Sequence, residues 1–159
     1  MAGREHRYKV TIVWTGNEGE GTSTYRGYSR AHQILAEGKP TIEGSSDPSF
    51  RGDATRWNPE DLLVASLSAC HKLWYLGLCS QMGVNVLSYE DEAEGVMVEV
   101  AGGAGQFERV TLRPHIVVAA GTDVQKAHDL HKKAHEVCFI ARSVNFPVEH
   151  EAEIVLAGA

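Results

Sequence analysis

Tyr8, Val10, Ile12 and Trp14 share a parity, with Lys9 and Thr11 between them. That period-two pattern predicts a strand over residues 8–14. Asn17, Gly19 and Gly21 mark a turn, so residues 22–35 are expected to return as a second strand with Arg26, Tyr28 and Arg30 on one face. Residues 44–53, rich in Gly, Ser, Asp and Pro, read as a loop. A long helix then begins at Asn58. Asn is a favoured N-cap, Pro59 suits the first helical position, and Glu60 and Asp61 complement the positive end of the helix. The helix is expected to run to about Met82, where Gly83 is a natural stop. Leu63, Leu67, Cys70 and Trp74 form one stripe along it. The helix is apolar round most of its circumference, which predicts a central, covered position.

Residues 84–90, 96–100 and 109–119 read as strands joined by glycine-rich turns. Thr122 or Asp123 caps a second amphipathic helix expected to reach about Ala141, and residues 148–156 read as a closing strand. The order of strands, helix, strands, helix and strand predicts an α+β fold, with sheets wrapped around helices. At 159 residues the chain is expected to form a single domain, residues 1–159.

Composition narrows the function classes. The net charge of −6 disfavours a nucleic-acid backbone binder, which needs clustered Lys and Arg. No apolar run was expected to reach the roughly 20 residues that span a bilayer, so no membrane partner is expected. Met1 to Arg7 is polar and unlike a signal peptide, which points to the cytoplasm. In that compartment cysteines more often react or bind metal than form lasting disulfides.

The chain has three cysteines, which cannot all pair within it. Cys70 stands inside the long apolar helix and Cys138 late in the second helix; Cys79 has no such setting and reads as packing. A cysteine attacks as the thiolate, and burial opposes that charge, so a reactive Cys70 needs a nearby cation. Arginine suits best because it stays charged when partly desolvated, and a carboxylate would hold it in place. Glu60 is the obvious carboxylate, but ten residues of helix, about 15 Å, separate it from Cys70. A two-fold dimer with antiparallel central helices would bring Glu60 of one chain to Cys70 of the other, giving two sites at the interface.

The run Asn58-Pro59-Glu60, then Ala65-Ser66-Leu67-Ser68-Ala69-Cys70, then Ala134-His135-Glu136-Val137-Cys138, resembles the OsmC/Ohr family of thiol peroxidases. The resemblance implies an intertwined homodimer, a peroxidatic Cys70, a resolving Cys138 and a Glu60–arginine pair that activates the thiolate. It implies organic hydroperoxides as substrates, a dithiol reductant of lipoyl type, and no cofactor or metal. The turn where the family usually carries its arginine holds Glu18 and Glu20 here, so the role passes to Arg30 or Arg26, with Arg30 preferred. His71 and Phe139 stand where an aromatic residue and a proline are common, which suggests a divergent branch.

Two other readings use the same residues. One is a binding or redox-sensing protein on this fold, without turnover. The other is a metal protein: His128, His131 and His135 lie at helical spacings with Cys138 three residues on, and Cys70 would be a further ligand. Trp57, Trp74 and Tyr75 read as core or dimer contacts, since no basic patch adjoins them.

Overall fold

The computed structural model of the chain describes residues 3–159. Met1 and Ala2, the start of the polar stretch read above, lie outside the described residues. The chain divides into two compact units, Met1–Leu62 and Leu63–Ala159.

The first unit is built on an antiparallel sheet, β1 (Thr11–Trp14), β2 (His32–Leu35) and β3 (Ile42–Gly44), in that order. The strand expected over residues 22–35 is shorter than its pattern suggested. Pairing persists past β1 and β2 as far as Gly16 and Ser29, whose backbones bond at 2.9 Å. Beyond that the chain breaks into turns closed by Ser23 N–H to Glu20 O and Gly27 N–H to Thr24 O. The Gly, Ser and Thr density of this stretch favours turns over a ladder. Arg26, Tyr28 and Arg30 therefore do not share a strand face. β3 is a strand the sequence pattern did not predict; Ile42 and Glu43 extend the sheet opposite Ile34 and Gln33.

The unit boundary falls in the first turn of α1 (Pro59–Gln81). Its N-terminus is closed as expected. Asn58 Oδ1 accepts the Asp61 N–H at 2.8 Å, and the Asp61 carboxylate accepts the Asn58 N–H at 3.5 Å, a reciprocal box that satisfies two otherwise orphaned donors. At the other end Gly83 adopts φ 75°, and the Val84 N–H returns to Cys79 O at 2.9 Å. Only a residue without a Cβ takes that left-handed turn cheaply. At 23 residues, with a mean hydropathy of 1.3 over its apolar window, α1 is long and apolar enough to cross a bilayer by composition, contrary to the expectation above. Its buried stripe instead packs on other elements of the second unit.

That stripe is Leu67, His71, Tyr75 and Cys79, each one turn apart. The expected stripe through Cys70 and Trp74 lies beside it, half-buried. α2 runs Val124–Val137, and its N-cap is Asp123, which accepts the Lys126 N–H at 3.2 Å. It stops four residues short of Ala141. Cys138 is the C-cap, with extended backbone at ψ 115°.

Two three-stranded sheets complete the unit. One orders β4 (Val86–Asp91), β7 (Pro114–Val118) and β9 (Glu153–Leu156); the other orders β5 (Glu94–Glu99), β6 (Gly105–Leu112) and β8 (Val148–His150). The single strand expected over residues 109–119 is thus two strands in different sheets. Arg113 leaves the ladder, its N–H captured by Asp91 Oδ1 at 2.6 Å, and Pro114 has no N–H to continue it. The closing strand divides likewise, and β8 and β9 pair parallel with β6 and β7, so the sheets are mixed rather than antiparallel throughout.

The second unit has two apolar clusters. One gathers Tyr75, Cys79, Val84, Ile116, Val118, Ala127, Leu130 and Ala134. The other gathers Leu67, Val110, Leu112 and Val148, with Ile140 and Phe146 against it. Cys79 is core, as its lack of context suggested, and Tyr75 is fully buried, whereas Trp57 is exposed.

Candidate functional site

Cys70 and Cys138 meet although 68 positions separate them in the chain. Cys70 is half-buried in the middle of α1. Cys138 is only 1% exposed, at the turn that ends α2. The Cys138 thiol lies beside that of Cys70. Burial pushes the Cys138 thiol up to about 11; the neighbouring Cys70 thiol adds to that, and the nearby backbone N–H groups of Ala141 and Ile140 oppose it. The turn after α2 thus does two things. It buries the second sulfur, and it supplies two backbone donors that favour its anion. All three cysteines are free thiols.

An aromatic pair flanks the two sulfurs in sequence. Trp74 is one turn beyond Cys70, Phe139 is the residue after Cys138, and their rings meet edge to face with centroids 5.4 Å apart. Phe139 is 67% exposed.

Between the two apolar clusters lies a layer of imidazoles. His71 of α1 and His131 of α2 are joined at 2.9 Å between Nε2 and Nδ1. His131 stacks on Tyr75 with centroids 3.7 Å apart, and His150 at the end of β8 stacks on His71 at 5.6 Å. His135 packs against His150 at 5.9 Å. Burial, then the charges of His150 and His135, pushes His71 down to about 4. Burial, then His71, His150 and His128, pushes His131 down to about 3. Of the three histidines expected to share a face of α2, His131 is buried, His135 half-buried and His128 exposed. No group of three or more His, Cys, Asp or Glu among the described residues is arranged to hold a metal ion.

Sequence reasoning passed over His71 and His150 as partners. The signals were present: His71 falls at i+4 from Leu67 and before Tyr75, and His150 shares strand parity with Val148.

Glu60 occupies the first turn of α1, half-buried. Arg30 is held within the first unit. Its guanidinium donates to Tyr28 O and Tyr25 O, at 2.6 Å each, and lies 3.9 Å from the Tyr28 ring centroid and 4.4 Å from that of Tyr25. Arg26 is exposed.

A family model described as OsmC-like protein matches residues 52–153. An OsmC-like protein of unknown function from Vibrio cholerae is 30% identical, with a TM-score of 0.85 over 94% of this chain and 100% of that one. An organic hydroperoxide resistance protein from Elizabethkingia anophelis shares the fold at 20% identity and a TM-score of 0.67, over 96% of this chain and 99% of that one. The uncharacterized protein YmaD of Bacillus subtilis is 25% identical over 97% of this chain and 98% of its own length.

Proposed function

The chain belongs to the OsmC-like family, and from that premise we propose that it is a thiol-dependent peroxidase that reduces organic hydroperoxides through Cys70 and Cys138. The observation that carries this reading is the meeting of the two thiols. Their unequal exposure supports the assignment of roles: a hydroperoxide can approach Cys70, while Cys138 is covered. The Trp74–Phe139 pair supports an apolar substituent on the peroxide.

The Cys70 thiolate attacks the terminal peroxide oxygen, the O–O bond breaks, and the alkoxide takes a proton and leaves as alcohol. Cys70 is then a sulfenic acid. The Cys138 sulfur attacks it, the S–O bond breaks, and water leaves as the disulfide forms. As Cys138 gives up its proton, the Ile140 and Ala141 N–H groups stabilise the anion. A dithiol of lipoyl type reopens the disulfide by two exchange steps and is itself oxidised. No cofactor enters this scheme.

We retain Glu60 and Arg30 as the pair that activates Cys70, brought to it in a homodimer working in the cytoplasm. The exposed apolar face of β1 and its approach supports a second copy: Tyr8 is 91% exposed, and Val10, Ile12 and Trp14 are also open.

Mass spectrometry after one equivalent of cumene hydroperoxide tests the reading. A Cys70–Cys138 bridge is expected, and Cys138→Ser should trap a sulfenic acid on Cys70. A bridge without turnover in the presence of a dithiol would favour a redox sensor instead. Unmodified thiols would remove the proposal.

A further inference from the structure

The two apolar clusters bring α1 and α2 together, but apolar contact is non-directional and leaves helices free to settle in more than one register. Two buried polar bonds cross between these helices: the Tyr75 hydroxyl donates to Ala127 O at 3.0 Å, and His71 Nε2 meets His131 Nδ1 at 2.9 Å, the bond nearer the two cysteines in sequence. His71 is the residue after Cys70, and His131 lies two turns before Cys138. We propose that the His71–His131 hydrogen bond is a positioning pair, which sets α1 against α2 so that the sulfurs of Cys70 and Cys138 stay within bonding reach. This rests on the reading of those cysteines as a redox pair.

The geometry supports a bond that holds position rather than one that fills space. Both rings are buried, His71 2% exposed and His131 1%. Tyr75 lies on one side of His131, and His150 stacks on His71. Sliding one helix by a single residue moves it about 1.5 Å, enough to take a bond of this length out of range. Such a buried polar contact selects one arrangement among several of similar apolar burial.

The bond needs one ring N–H and one bare ring nitrogen, so both rings cannot be protonated at once. His131 Nε2 is buried without a partner. An orphaned N–H is the rarer and costlier state, so the proton belongs on His131 Nδ1, which donates to His71 Nε2. The ionisable groups around the pair are His150 from β8, His135 and His128 from α2, and the Tyr75 hydroxyl, which donates to Ala127 O at 3.0 Å. None is a carboxylate that would hold a proton on either ring.

The tautomer predicts which substitutions rescue. Asn places an amide N–H near the position of a histidine Nδ1, and Gln places a carbonyl near that of Nε2. The measurement is the equilibrium constant of the Cys70–Cys138 disulfide in a glutathione redox buffer at pH 7, which needs no peroxide. His131→Leu should lower it about tenfold, and His131→Asn should stay within about threefold of wild type. His71→Leu and His71→Gln read the same bond from α1 if His131→Leu does not fold. In the wild-type protein, ring 15N shifts should show a proton on His131 Nδ1. Folded Leu variants with wild-type constants, an Asn variant as impaired as Leu, or a proton on Nε2 would each overturn the positioning role. A wild-type bridge without peroxide turnover removes the peroxidase reading and leaves the pair in place; no wild-type bridge removes both.

Discussion

Cys70 and Cys138 are neighbours, yet they inhabit opposite surroundings. The first sits mid-helix, half-open, with Trp74 one turn away. The second sits where a helix has ended, covered, with two backbone N–H groups near its sulfur. Placement relative to a helix end thus separates an accessible sulfur from a guarded one. A helix interior offers a side chain no spare backbone donor, because each N–H there is committed to a carbonyl one turn back. A turn just past a C-terminus frees its N–H groups for other acceptors.

The sharpest way to break this comparison is to remove each sulfur in turn. Cys70→Ser should abolish dithiol-dependent hydroperoxide turnover, whereas Cys138→Ser should still consume one equivalent of peroxide and stop at the sulfenic acid, both read by intact mass. Next in size is acid. His71 and His131 are held at about 4 and about 3, below the ordinary histidine value of 6.5. The unfolded chain therefore takes up protons between pH 6.5 and those values while the folded one does not. Stability is full above pH 6.5 and should fall by about 1.4 kcal/mol per pH unit for each histidine as the pH drops through that window. Urea unfolding at a series of pH values measures it, and a flat profile from pH 6.5 to 4 would show that these rings are not buried neutral.

The aromatic flank makes a smaller claim. Trp74→Ala should raise KM for cumene hydroperoxide about tenfold while leaving hydrogen peroxide little changed. Smallest is the third sulfur. Cys79 packs beside Tyr75 in the apolar cluster, so Cys79→Ser should lower the melting temperature by a few degrees, on the order of 1 kcal/mol, and spare turnover.

Much of this was legible in the chain. The cap at Asn58 and the stop at Gly83 placed α1 to within a residue at each end, because both depend on local backbone chemistry. The two cysteines stood out by context. What sequence hid was long-range. Residues 109–119 look like one strand, since hydrophobic parity continues across Arg113; Pro114 is the local break, and β6 and β7 then pair with different neighbours. The end of α2 was misplaced because Cys138 to Ala141 keep helical spacing of apolar residues, while a second cluster draws Ile140 and Ala141 away from the helix axis. His71 stood out only as a departure from the family pattern, because its partner lies sixty residues on.

The parallel pairing of β8 and β9 has a consequence for biosynthesis. Each finishes a sheet begun by strands made dozens of residues earlier. Neither sheet can close until residues 148–156 leave the ribosome, so the nascent chain carries two open ladders until those residues emerge. Ribosome-bound lengths ending before Val148 should therefore be protease-sensitive, with protection arriving late and in one step.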